Sequence, residues 1–271
     1  SQTVFSFYEV DQPTPVEQSI VNLQDNFVFA SKHAEKMFKD AGCENIHHVP
    51  IGFDADFHET KKDYLEDVIH FGLMGKFEKR KNSGKILESW AAKYGNNYKY
   101  QLTCCINNPF FKPEDMNNLI SQSLKGKTYG NINFLPHLKT NSEVNEFINS
   151  IDIDLSGLSG AEGWNLPAFN ATALGKWSIV MNHTSHKDWA NSNNSILVEV
   201  DAQEPIYDNL FFKPKTAFNQ GNMNTISQEA MIASFEEAES KVKTPNKEGL
   251  KLQSKFTYDK TLTKLLKIIE K

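Results

Sequence analysis

Short apolar runs that alternate with helical stretches constrain this chain more than any other feature. Val68 to Met74 reads as a strand, and Gly84 to Tyr94 as a helix with Ile86, Leu87, Trp90 and Ala91 as its apolar residues. Tyr98 to Ile106 is a strand, and Pro113 to Leu124 a helix with proline near its first turn. Ile132 to Leu135 is a strand, Ser142 to Ile148 a helix entered through Thr140 or Asn141, and Ile151 to Leu155 a strand. A helix over 167–174 and strands over Trp177 to Met181 and Ile196 to Val200 complete the series. Strands that alternate with helices at this spacing pair in parallel, with the helices as crossovers. The fold class is therefore α/β, a doubly wound and mainly parallel sheet, which holds ligands at the C-terminal strand ends.

A shorter unit of the same kind comes first. Residues 26–30 (N-F-V-F-A) form a strand, Ser31 caps a helix from Lys32 to Ala41 that Gly42 ends, and Ile46 to Val49 is a strand stopped by Pro50. Residues 54–66 are polar and read as a connector. Residues 202–226 show no clear periodicity and are expected to form a long ordered loop, a lid or an interface. Helices are expected over Ser227 to Val242, Lys247 to Phe256 and Lys260 to Ile269. The last carries Leu262, Leu265, Leu266 and Ile269 on one face, which calls for a partner surface.

Composition excludes several classes. With 39% hydrophobic and 23% charged residues the chain is globular rather than disordered. A net charge of −5 gives no global case for nucleic-acid binding. No apolar run approaches the ~18 residues of a membrane span, and Ser1 to Val10 shows no export-signal pattern. Cys43, Cys104 and Cys105 suggest no disulfide framework, so a reducing, cytoplasmic setting is the simplest expectation. His47 and His48 adjoin on a strand, and His183 and His186 have no recognisable partner ligands, so no metal site is expected.

The sequence E-G-W-N-L-P at Glu162 to Pro167 follows a strand and a small-residue loop, and it opens a helix that stops at Gly175. The free N–H groups of such a helix start, with the macrodipole behind them, suit a phosphate. An acidic Glu162 beside them would repel phosphate and suits a hydroxyl-rich neighbour such as a sugar. An ordinary βα turn has the same local pattern.

Three segments combine: Val49-Pro50-Ile51-Gly52-Phe53-Asp54 with Phe57, then Gly75-Lys76 with Lys79-Arg80-Lys81-Asn82, then Glu162 to Pro167. In this order and spacing they resemble the retaining glycosyltransferases of the GT-B fold, the large group 1 or family 4 class, over roughly residues 5 to 200. The resemblance implies a Rossmann-like donor domain over 58–257. It also implies a remnant of the acceptor-side domain over 1–57, with the C-terminal helix 258–271 packed back on it. It implies transfer of a sugar from a UDP- or GDP-linked donor with retention, without a bound metal, to a glycan, lipid or protein acceptor. The resemblance further implies that the departing diphosphate itself helps to take the acceptor proton.

By position in the family pattern, Gly75, Lys76 and Lys81 would meet the diphosphate, and Glu162 the donor-sugar hydroxyls. Gly163, Trp164, Asn165 and Leu166 would offer backbone N–H groups to the phosphates. The second glutamate of the family's E-x7-E pattern, which binds ribose, is Asn170 here. Lys76, Lys81 and Glu162 are the candidate catalytic residues; Arg80 is expected to be exposed. His186 and Asp188 are placed in the cleft or on the surface, and Glu9 of F-Y-E in the cleft or in a structural role. The first fifty or so residues are far shorter than a full acceptor domain. A non-catalytic nucleotide-sugar-binding subunit, completed by a homo- or hetero-oligomeric partner, is therefore the alternative. A nucleotide-sugar epimerase lacks a visible acid/base set. A viral enzyme that decorates a polymer or a modified base is compatible with the Asn- and Lys-rich composition.

Overall fold

The computed structural model describes residues 1–60 and 65–270. The connector expected over 54–66 thus lies partly outside the described residues, as does Lys271. Two parallel sheets organise the chain. The first contains β1 (Thr3–Ser6), α1 (Pro15–Asn22), β2 (Asn26–Phe29), α2 (Lys32–Asp40) and β3 (Ile46–His48), with strands in the order β1-β2-β3. The sequence reading passed over α1, although its start is written in Thr14-Pro15-Val16-Glu17. Thr14 Oγ1 accepts from the Glu17 N–H at 3.1 Å while Glu17 Oε2 accepts from the Thr14 N–H at 2.8 Å. This reciprocal cap, with proline in the first turn, offsets the short length of the helix. Phe29 and Phe38 stack at 4.8 Å in the core beneath this sheet.

The second sheet is built from β4 (Ile69–Met74), α3 (Ser83–Tyr94), β5 (Tyr100–Cys105), α4 (Pro113–Ser123) and β6 (Ile132–Phe134), followed by α5 (Asn141–Ser150), β7 (Ile153–Asp154), α6 (Leu166–Ala173), β8 (Trp177–Met181) and β9 (Ile196–Val198). All its strands are parallel, in the order β6-β5-β4-β7-β8-β9. The order reverses between β4 and β7, which opens a crevice at their C-terminal ends where the loops diverge to opposite faces. Phe71, Trp90 and Tyr94 form the centre of the core on one face, with Phe235 closing over them.

Residues 202–226 are not wholly loop. β10 (Ala202–Pro205) and β11 (Asn222–Thr225) pair as an antiparallel hairpin. Its polar strands hide the alternation, because the signal reduces to Met223 and Asn224, both buried. The intervening segment and the first residue of β11 dock on the start of the chain. Asp11 Oδ1 accepts from the Asn222 N–H at 2.8 Å, Glu17 Oε1 accepts from the Asn219 N–H at 2.8 Å, and Thr14 Oγ1 donates to the Ala217 carbonyl at 2.6 Å.

The C-terminal region contains α7 (Gln228–Lys241), α8 (Lys247–Leu250), α9 (Leu252–Lys255) and α10 (Tyr258–Ile269). The single helix expected over 247–256 is two short turns. α10 lies against the segment that leaves the first sheet: Phe53 N donates to the Phe256 carbonyl at 2.8 Å, and Thr261 Oγ1 to the Pro50 carbonyl at 2.8 Å. Gly52 allows this approach, since a Cβ there would lie 2.4 Å from Tyr258 N. Leu262, Leu266 and Ile269 stay about half exposed, so the apolar face expected to find a cover has none among the described residues. No described helix is long and apolar enough to cross a membrane. Cys43, Cys104 and Cys105 are buried and unbonded.

Candidate functional site

The crevice between β4 and β7 is where the candidate residues gather. β4 ends at Met74, and the chain turns at Gly75 with φ +131°, a conformation that residues with a Cβ rarely adopt. A Cβ at Gly75 would also press on the Lys81 stem, 3.3 Å from its Cδ. Lys81 lies across this glycine and reaches Glu162, with Nζ 2.6 Å from Oε1. Arg80 Nη1 stands 3.2 Å from Glu162 Oε2, and Arg80 Nε 2.9 Å from Glu78 Oε2. Lys76 Nζ is 3.1 Å from Glu78 Oε1. Five charges thus form one chain, Lys76–Glu78–Arg80–Glu162–Lys81, with three cations against two carboxylates.

Arg80 corrects the sequence reading: it is buried, not exposed. The basic run 76–81 belongs to a tight turn before α3, so helical surface logic does not apply to it. The Arg80 carbonyl accepts from Gly160 N at 2.7 Å and Ser159 Oγ at 3.1 Å, and its Nη1 donates to the Ala161 carbonyl at 2.9 Å. These bonds stitch the turn after β4 to the loop after β7. Burial works against the Arg80 charge, but Glu162, Glu9 and Glu78 outweigh it and hold its pKa above the ordinary value. Burial likewise works against the Glu162 charge, and Lys81 and Arg80 outweigh it, so this carboxyl sits well below the usual range.

The segment 163–166 carries the turn into α6. Gly163 packs on the stretch after β1, where a Cβ would come within 2.8 Å of Phe7 Cβ. The Trp164 ring is a core element, 5.3 Å from the Phe169 ring and 5.5 Å from that of Phe256. Asn165 caps α6 with φ +68°. Its Nδ2 donates to the Ser156 carbonyl at 2.9 Å and to His186 Nε2 at 2.9 Å, and its Oδ1 accepts from the Ala168 N–H at 3.4 Å. Leu166 is the first helical residue and is half exposed. The backbone N–H groups of Gly163, Trp164, Asn165 and Leu166 donate to no acceptor among the described residues. Asn170, one turn on, is buried, and its side-chain amide makes no hydrogen bond to a described residue.

Lys76 does not join Lys81. Its ammonium sits 4.8 Å from the centre of the Phe211 ring and 5.5 Å from that of Phe110, on the far side of Glu78. His186 is buried, and Asp188 is partly buried, with its side chain only 5% exposed. His186 Nδ1 lies 2.8 Å from the Met181 carbonyl and so carries the proton, which leaves Nε2 to accept from Asn165. His183 Nε2 bonds the Ser159 carbonyl at 2.7 Å, and burial holds its pKa down at about 3. The sequence reading missed that His186 orients Asn165. A lone histidine in a 3₁₀ turn (184–188) carries no periodic signal that would reveal it.

No protein-family model matches the chain, and a search of curated proteins finds no match. Its fold does match solved structures. It is similar to HepE of Anabaena, solved in complex with UDP and glucose, with a TM-score of 0.72 at 10% identity, covering 99% of this chain and 71% of that one. It is similar to sucrose-phosphate synthase of Thermosynechococcus elongatus, with a TM-score of 0.70 at 14% identity, covering 94% of this chain and 60% of that one. The C-terminal domain of a group 1 glycosyl transferase family protein of Francisella tularensis covers 69% of this chain and 85% of its own, with a TM-score of 0.51 at 16% identity. The chain thus spans about three-fifths of the length of the synthase. These likenesses establish the GT-B fold, with its Rossmann-like parallel sheet.

Proposed function

We propose that this GT-B chain binds a UDP-linked sugar in the β4–β7 crevice and acts as the donor-binding part of a retaining glycosyltransferase of the family 4 kind. The observation that carries the reading is the sheltered Lys81–Glu162–Arg80 cluster, followed directly in the chain by four N–H groups at the start of α6 that have no acceptor among the described residues. A diphosphate placed there takes hydrogen bonds from the N–H groups of 163–166 and charge from Lys81, which exchanges part of its pairing with Glu162 for the phosphate. Glu162 is then free to accept from sugar hydroxyls. As the sugar departs, charge builds on the diphosphate, and preorganised N–H dipoles with a sheltered ammonium stabilise it most where it builds. The leaving phosphate takes the acceptor proton, so the sugar is delivered on the same face. No bound metal is required of this scheme.

In this reading residues 1–57 are the remainder of an acceptor-side unit, 58–257 hold the donor, and 258–271 return to the first. Lys76, which lies against the Phe110 and Phe211 rings, acts at a distance through Glu78 and Arg80. Asn170 supports a second reading, a nucleotide-sugar-binding subunit without transferase activity. An amide in place of the ribose-binding carboxylate lacks charge-assisted pairing. The test is a thermal-shift panel with UDP-, GDP- and ADP-sugars. The UDP-sugar should raise the midpoint of the wild type, and Lys81→Ala should abolish the rise. A mutant that responds like the wild type removes the phosphate site. Donor hydrolysis by the wild type separates the enzyme from the inert subunit.

A further inference from the structure

A charged cavity lies between the start of α2 and the α9–α10 corner. Its volume is about 280 Å³, and none of the residues assigned to the donor lines it. Lys255, Lys260 and Lys264 come from the C-terminal side, and Lys32, His48 and Asp188 from the other. Pro50 and Phe256 add apolar surface. None of the four lysines has a carboxylate partner among the described residues. Asp188, the lone acidic lining residue, is already engaged: its Oδ2 accepts from the Lys32 N–H at 2.9 Å and lies 3.5 Å from His48 Nε2. Four ammonium groups against one carboxylate leave three positive charges around a small concavity, on a chain whose net charge is −5. Like charges held this close repel one another, and an anion that enters relieves the repulsion.

We infer that this cavity binds a small phosphoester with a hydroxyl-bearing body, a sugar phosphate of hexose size. The two sides of the cavity differ, and that difference fixes the class. The C-terminal side offers three ammonium groups and no carboxylate, with the hydroxyls of Thr257 and Thr261 beside them, which suits a phosphate dianion. The opposite side pairs Asp188 with His48, an acceptor and a ring nitrogen that suit hydroxyls and would oppose a second phosphate. Phe256 and Pro50 supply apolar contact for a sugar ring. A volume of about 280 Å³ admits a hexose with one phosphate. The bound molecule would touch α2 from the first sheet, Asp188 after β8 and α10 at the C-terminus together, and so would tie these elements. This inference does not rest on the donor site.

The experiment is a thermal-shift titration of the whole chain with glucose 6-phosphate, inorganic phosphate and glucose, with UDP in parallel. Glucose 6-phosphate at about 100 times its Kd should raise the midpoint by roughly 5 °C. Inorganic phosphate should bind at least tenfold more weakly, and glucose should give no shift. The paired substitution Lys260→Gln with Lys264→Gln, on exposed positions of α10, should remove the sugar-phosphate response. Asp188→Asn should weaken glucose 6-phosphate binding while leaving the weak response to inorganic phosphate. An undiminished response of the lysine variant overturns the inference, as does equal affinity of the wild type for glucose 6-phosphate and inorganic phosphate. A failed UDP response alongside an intact sugar-phosphate response would count against the donor site only.

Discussion

Removing the Glu162 charge tests how the two loops at the crevice are held. The Lys81 and Glu162 side chains are only 13% and 6% exposed, so solvent screens their 2.6 Å pair little. Glu162→Gln preserves shape but takes the carboxylate from Lys81 and leaves Arg80 and Lys76 sharing Glu78. Breaking a buried pair from one side costs about 3–5 kcal/mol, and because Lys81 loses its carboxylate while Arg80 keeps Glu78 at 2.9 Å, a loss within that range is expected. Lys81→Met costs less, about 2 kcal/mol, since Arg80 still lies 3.2 Å from Glu162. The double variant should lose less than the sum, with a coupling of about 1.5–3 kcal/mol. Urea unfolding of the four proteins at pH 7, followed by far-UV circular dichroism, supplies the cycle, and the coupling should persist in 0.5 M salt because the pair is sheltered. A coupling below about 0.5 kcal/mol would refute the reasoning, since it would mean that Glu162 and Lys81 do not share a buried contact.

Three further outcomes follow from the same structure. Burial pushes the Asp154 carboxyl up to about 6 from 3.8, so the fold keeps a proton that the unfolded chain has lost, and stability falls as pH rises through that window. Asp154→Asn should therefore stabilise by roughly 2–3 kcal/mol at pH 7 and by almost nothing at pH 3, as read by urea unfolding at both pH values. His183, His186, His70 and His33 are all held below 6.5, with burial as the largest cause, so the unfolded chain takes up protons that the fold refuses. Thermal midpoints should be flat above about pH 7 and fall steadily from 6.5 towards 3; a midpoint unchanged between pH 7.5 and 5 would contradict this. Gly52→Ala would place a Cβ 2.4 Å from Tyr258 N, against backbone that cannot give way without moving α10. A loss of about 1–3 kcal/mol is expected by chemical unfolding, and a neutral result would show that α10 is not seated on this segment.

The sheet was legible because its signal is local. Strands such as Trp177–Met181 are buried on both faces, as parallel strands between helix layers must be. The α1 helix went unseen because only one of its residues, Val21, is buried, so its cap was the sole clue. The β10–β11 hairpin went unseen because side chains such as Gln203 and Asn222 give no alternation. At the site, Lys81 and Glu162 were named from motif spacing. That spacing could not reveal that Arg80 is drawn inward by Ala161 and Glu162, nor that Lys76 turns towards Phe110 and Phe211. Those facts depend on contacts across about 34 to 135 residues of sequence, which no local pattern encodes.

A crystal structure of the chain with UDP tests the donor site most directly. The expected result is a diphosphate whose terminal phosphate oxygens lie within about 3 Å of Lys81 Nζ and of backbone N–H groups between Gly163 and Leu166. UDP bound elsewhere, with Lys81 still closed on Glu162 and the α6 mouth untouched, would contradict the account.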